Sequence, residues 1–139
     1  MTEKQGAKCV YGGKRRDAFC EPTILVDVTP SMDIAKDMEV FGPVFPVIEF
    51  STEDEAVKIA NNTQYGLMGG IMTGSMKTAM KVASRIQCGG VVINGSSRYR
   101  PSEIPFGGYK KSGIGREGIS HTLEEMSQLK TIAFKHIFE

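Results

Sequence analysis

The spacing of apolar and polar positions is most regular between Val44 and Ile93. Val44 to Phe50 alternates Val, Ile and Phe with other residues and predicts a strand. Thr52-Glu53-Asp54-Glu55 follows, with a hydroxyl residue and, three positions on, a carboxylate that can bond back to the start of a helix. Ala56, Val57, Ile59 and Ala60 form the apolar stripe of that helix, which stops near Asn61-Asn62. Leu67 to Thr73 is a short apolar run. Ser75 can cap a second helix, with Met76, Ala79, Met80, Ala83 and Ile86 on one face. Cys88-Gly89-Gly90 ends it, because glycine takes the left-handed turn readily. Val91-Val92-Ile93 is a third strand of the buried type.

This β-α-β-α-β order predicts an α/β fold, a parallel sheet with right-handed crossovers covered by helices. Apolar runs rather than strict alternation fit a sheet covered on both faces. Outside this unit, Ala7 to Val10 and Pro22 to Val28 read as extended segments, and Ser31 to Lys36 as a short helix. A Gly- and Lys-containing loop runs to about Gly115, and a last helix is expected over Arg116 to Gln128. Thr131 to Phe134 alternates enough for a terminal strand. The expected division is therefore an α/β unit over 1–128 and a C-terminal strand, or tail, over 129–139.

Composition narrows the function classes. A chain of 139 residues suits one domain, and 40% hydrophobic with 24% charged residues is ordinary for a soluble globular protein. The net charge of +1 gives no field that would select nucleic acid or an anionic membrane. No apolar run is long enough for a membrane helix, and the N-terminus has no apolar signal core, so a cytoplasmic protein is expected. Three cysteines without CxxC spacing argue against a disulfide framework, and with His121 and His136 they do not make a zinc site. None of the thiols has the setting of a nucleophile: Cys88 follows a helix C-terminus and Cys20 adjoins Glu21, both unfavourable to a thiolate. No catalytic residue is assigned. Gly113-Ile114-Gly115-Arg116-Glu117-Gly118 spells GxGxxG, which leaves a phosphate- or nucleotide-binding protein as an alternative. Its context opposes that, since a Lys-Lys-Ser run precedes it instead of an apolar strand.

Two further stretches carry chemistry. Glu39-Val40-Phe41-Gly42-Pro43-Val44 sets a carboxylate and an aromatic ring on a turn bent by glycine and proline. Pro105-Phe106-Gly107-Gly108 sets a ring beside two glycines, after Ser96-Ser97-Arg98-Tyr99-Arg100. These two motifs occur with Glu21-Pro22-Thr23, Ile34-Ala35-Lys36, Asn61-Asn62-Thr63, Tyr65-Gly66-Leu67, Ile93-Asn94 and Lys111-Ser112-Gly113-Ile114-Gly115-Arg116-Glu117. In order and spacing the set resembles the C-terminal part of the NAD(P)-dependent aldehyde dehydrogenase superfamily, over essentially the whole chain.

The resemblance implies roles. Glu39 would accept hydrogen bonds from the nicotinamide ribose, as a carboxylate can from two vicinal hydroxyls, and Phe41 would pack near the nicotinamide. Phe106 would form a wall of the aldehyde pocket. Arg98 and Arg100, in the loop before it, could grip a carboxylate or phosphate on the substrate, favouring semialdehydes, phosphorylated aldehydes or hydroxyaldehydes. The reaction implied is oxidation of an aldehyde to an acid with NAD or NADP, through addition of a thiolate, oxidation of the adduct and hydrolysis of the thioester. The family's dinucleotide-binding domain and nucleophilic cysteine lie in a part this sequence does not contain. The expectation is an incomplete enzyme, inactive and without bound cofactor alone, that assembles through its terminal strand as a homo-oligomer or with a companion chain carrying the missing half. A non-catalytic assembly module is the second alternative.

Overall fold

The computed structural model describes residues 2–136. Strand β1 (Lys8–Tyr11) leads through a hairpin, β2 (Arg15–Arg16) and β3 (Phe19–Cys20), to β4 (Thr23–Val26). A single 3-10 turn, Asp33–Ala35, precedes β5 (Val44–Pro46). Helix α1 (Glu53–Asn61), β6 (Tyr65–Gly66), β7 (Met68–Ile71), α2 (Met76–Ala83) and β8 (Gly90–Ile93) follow. The chain then forms β9 (Tyr109–Lys110) and α3 (Ile119–Glu125).

Both expected helix starts form as their sequences dictate. Thr52 Oγ1 accepts from the Glu55 N–H at 3.1 Å, while Glu55 Oε2 reaches back to the Ser51 N–H at 2.8 Å. Ser75 Oγ accepts from the Thr78 N–H at 3.2 Å. The buried face of α2 is turned from the one the spacing suggests. Ala79 and Val82 are buried, whereas Met76 and Met80 are 73% and 62% exposed. The Lys81–Glu53 ion pair joins α1 to α2, and Arg85–Asp54 joins α1 to the turn after α2. The Lys81 ammonium holds the Glu53 carboxyl below its usual value, chiefly by direct hydrogen bonding.

The sheet departs from the expected single parallel one. Strands β1, β4 and β5 form a mixed sheet in that order, antiparallel between β1 and β4 and parallel between β4 and β5. Strands β7 and β8 form a separate parallel pair, with Met68 opposite Gly90 and Ile71 opposite Ile93. Only the β4–β5 and β7–β8 pairs are parallel, and β5 and β7 do not share a sheet. Pro43, just before the short β5, and Pro46, its last residue, lack the N–H donors a second ladder would need. The main core lies under the mixed sheet, where Ala7, Leu25, Val28 and Met32 are buried together.

Two expectations near the C-terminus are corrected. The last helix is Ile119–Glu125, shorter than Arg116 to Gln128, because Gly118 at φ 129° cannot continue a helix backwards. Residues 129–136 are exposed and form no strand, so Thr131 to Phe134 is not one in the single chain. A strand needs a neighbour to satisfy its N–H and C=O groups, and no described strand lies alongside this segment in a ladder. Residues 137–139 of the expected tail lie outside the described part.

Candidate functional site

The segment carrying Glu39 is drawn against the mixed sheet by its proline, since Pro43 O accepts from the Thr23 N–H at 2.8 Å. Its bend is tight: Gly42 N–H donates to Val40 O at 3.0 Å and Val44 N–H to Gly42 O at 2.9 Å. Met38, Val40 and Val44 line a cavity of about 350 Å³ with Cys9, Leu25 and Ile34. Glu39 and Phe41 do not line it, and both are exposed, Phe41 to 92%. Glu39 has no hydrogen bond or ion pair to any described residue, so its carboxylate oxygens are open to a ligand.

Phe106 sits in a different setting. Its N–H donates to Glu117 O at 2.8 Å, and the Glu117 N–H donates to Phe106 O at 2.6 Å. The two residues thus close the loop between them as an antiparallel bridge. Arg100 stacks on the Phe106 ring, its guanidinium carbon 3.8 Å from the ring centre, and pairs with the Glu117 carboxylate. Arg100, Phe106 and Glu117 line one end of a cavity of about 610 Å³ whose other walls include Ile104, Ile119 and Leu123. The glycines after Phe106 serve close packing more than flexibility. A Cβ on Gly108 would lie 2.6 Å from the Ser112 carbonyl carbon, and one on Gly89 would lie 1.5 Å from Gly107 O.

The structure therefore brings Arg100 and Phe106 together and leaves Glu39 and Phe41 outside their cavity. Arg98 is exposed and does not line it either; its backbone N–H donates to Ser96 Oγ at 3.2 Å. Glu117 is part of this arrangement although sequence reasoning passed it over. Seventeen residues separate it from Arg100, a distance with no helical or strand periodicity to signal a pair. The glycines at 113, 115 and 118 all have positive φ, the conformation a tight loop needs from residues without a side chain.

Among the described residues no thiol is hydrogen-bonded to a base. Cys9 Sγ donates to Tyr11 O at 3.3 Å, Cys88 Sγ donates to Gly90 O at 3.0 Å, and Cys20 is exposed. Among the described residues no group of three His, Cys, Asp or Glu is placed to share a metal ion, and no helix is long and apolar enough to cross a membrane. His121 is half-buried on α3 and His136 is exposed.

An open carboxylate beside an exposed ring, and a second ring walling an apolar cavity, are accompanied by a match to the aldehyde dehydrogenase family over residues 1–132. The chain belongs to the aldehyde dehydrogenase family. A lactaldehyde dehydrogenase of Methanococcus maripaludis is 41% identical over 138 residues, 99% of this chain and 29% of the relative. A 3-sulfolactaldehyde dehydrogenase of Priestia aryabhattai is 41% identical over 129 residues, 93% of this chain and 27% of the relative. Among solved structures, a glyceraldehyde-3-phosphate dehydrogenase of Methanocaldococcus jannaschii, complexed with NADP, superposes with a TM-score of 0.88 at 44% identity. That superposition covers 94% of this chain and 28% of the other. The α/β fold is thus that of aldehyde dehydrogenases, and the chain spans somewhat over a quarter of the length of the relatives it matches.

Proposed function

We propose that this chain is the cofactor-clamping and substrate-walling part of an NAD(P)-dependent aldehyde dehydrogenase that oxidises a small 2-hydroxyaldehyde to its acid. The observation that carries this reading is the family match over residues 1–132 together with the open Glu39 carboxylate. The names of the three relatives point to the substrate class: lactaldehyde, 3-sulfolactaldehyde and glyceraldehyde 3-phosphate all carry a hydroxyl next to the aldehyde.

NAD or NADP fits the exposed residues of the turn. Glu39 accepts hydrogen bonds from the two ribose hydroxyls, and Phe41 lays its ring against the nicotinamide. The nicotinamide, when bound, supplies the acceptor for the electron pair the aldehyde loses. Phe106 walls the aldehyde and keeps water from it. Arg98, exposed and unpaired among the described residues, is the cation that a charged substrate tail meets first. Arg100 supports the tail's path from its place on the Phe106 ring.

No dehydrogenase turnover is expected of the 139 residues alone, since none of the three thiols is hydrogen-bonded to a base among the described residues and the covalent route then has no first step. The exposed apolar side chains, Phe41, Ile114 and Leu129 among them, favour burial against another polypeptide, either a second copy or a chain carrying the nucleophile. Thr131 to Phe134 form their strand there, by pairing with a neighbour. The setting is cytoplasmic.

A chimera tests the reading. The corresponding residues of the Methanococcus maripaludis lactaldehyde dehydrogenase are replaced by this chain, and NAD(P)-dependent oxidation of lactaldehyde is followed. Activity should persist, and Glu39→Gln in the chimera should raise the cofactor KM about tenfold, the loss of roughly one charge-assisted hydrogen bond. A folded chimera without turnover, or one indifferent to Glu39→Gln, would overturn it. For the isolated chain, light scattering that shows a lasting monomer would count against the assembly reading.

A further inference from the structure

Asp37 precedes Glu39 by two residues, and Lys110 follows Phe106 by four. Both side chains reach the same short loop between α1 and β6. Asp37 Oδ1 accepts from the Thr63 hydroxyl at 3.0 Å and from the Gln64 N–H at 2.7 Å. Lys110 Nζ donates to Asn61 O at 3.0 Å and to Thr63 O at 2.8 Å. The backbone reinforces the second attachment: Lys111 N–H donates to Gln64 O at 3.0 Å, β6 pairs with β9, and Gly66 N–H donates to Ser112 Oγ at 2.9 Å. The loop itself is rooted in the segment between α2 and β8. Asn61 Nδ2 donates to Arg85 O at 2.9 Å, and Asn61 Oδ1 accepts from the Gln87 N–H at 2.8 Å.

Two features accompany these attachments. Lys110 is held at φ 55°, a conformation that side chains other than glycine adopt rarely and that persists when its surroundings impose it. The Asp37 carboxyl is held below its usual value, first by the Gln64 N–H, against the opposing effect of desolvation, and further by Thr63 and the positive charges of Lys111 and Lys110.

We propose that the Asn61–Gln64 loop is a shared anchor that makes the Glu39–Phe41 turn and the Phe106 wall shift together, with Asp37 and Lys110 as its positioning residues. The functional meaning rests on the reading of Glu39 and Phe106 given above: contact at the cofactor turn is transmitted to the aldehyde wall through one loop. The coupling itself is a property of the chain, carried by a contiguous set of hydrogen bonds.

The test needs neither cofactor nor aldehyde, so it stands apart from the proposed function. Amide hydrogen exchange and amide shifts are measured on the ¹⁵N-labelled 139-residue protein, as wild type, Asp37→Ala, Asp37→Glu and Lys110→Met. Lys110→Met should speed exchange at Gly42 about tenfold although Lys110 does not touch that turn, and Asp37→Ala should do the same at Lys111. Asp37→Glu should restore part of the protection, and the Leu25 and Val26 amides of β4 should stay unchanged. In the wild type, the Gln64, Gly42 and Lys111 amides should titrate with one midpoint, below the ordinary carboxylate value. The inference is wrong if Lys110→Met leaves Gly42 unaffected, or if the acid titration is confined to Gln64. Should the variants unfold, seen as faster exchange at Leu25, the wild-type titration decides alone.

Discussion

The two aromatic-glycine motifs look alike as text and differ as structures. In Phe41-Gly42-Pro43 the ring is open to solvent, and a Cβ on Gly42 would meet nothing within 4 Å. In Phe106-Gly107-Gly108 the ring is capped by a guanidinium, and the glycines touch other backbone. The same residue pair lies on an open surface in one case and in the wall of a cavity in the other. An aromatic ring next to glycine therefore says little until the neighbours of the glycine are known.

Substitutions can break this contrast, and the largest effect belongs to the wall. Gly89→Ala drives a methyl group into Gly107 O, and the backbone must separate. A loss of about 3 kcal/mol is expected, read as a lower urea midpoint. A midpoint within error of the wild type would mean that the wall is as loose as the turn. Arg100→Ala removes the cation from the Phe106 ring and the partner from Glu117. Both groups are partly exposed, so about 1 kcal/mol is expected, with a shift of the Phe106 ring resonances. Arg100→Lys should keep part of the stability but lose the ring shift, because an ammonium does not stack as a planar guanidinium does. Gly42→Ala has the smallest effect and the opposite sign. Its φ is not positive and its surroundings are open, so fewer unfolded conformations should raise stability by about 0.5 kcal/mol. A destabilised Gly42→Ala would show that the turn is packed after all.

The readable parts of the sequence were those whose cause is local. Thr52 and Ser75 cap helices through bonds to residues three positions away, and that spacing can be seen in the chain. Val91 to Ile93 and the run after Leu67 form strands that pair in parallel, as the helix between them requires. What could not be read depends on partners distant in sequence. The pairing of β6 with β9 joins Tyr65 to Lys110, and neither two-residue strand has a pattern of its own. The separation of β5 from β7 follows from which edge each strand offers, and periodicity carries no information about that. On α2 the apolar positions extend round more than one face. Val82, outside the expected stripe, is buried, and Met76 at its edge is left in solvent. At the site, Phe106 and Arg100 stood in one stretch of sequence, but Glu117 and Asp37 earn their places only through contacts across loops.

The main-chain contact between Gly89 and Gly107 has a consequence for redesign. Where one backbone rests on another, no side chain decides how far apart they stand. The spacing of these two segments is then fixed by main chain, whereas the cover of the ring at 106 hangs on one residue, Arg100, in the stretch from Ser96 to Ile104.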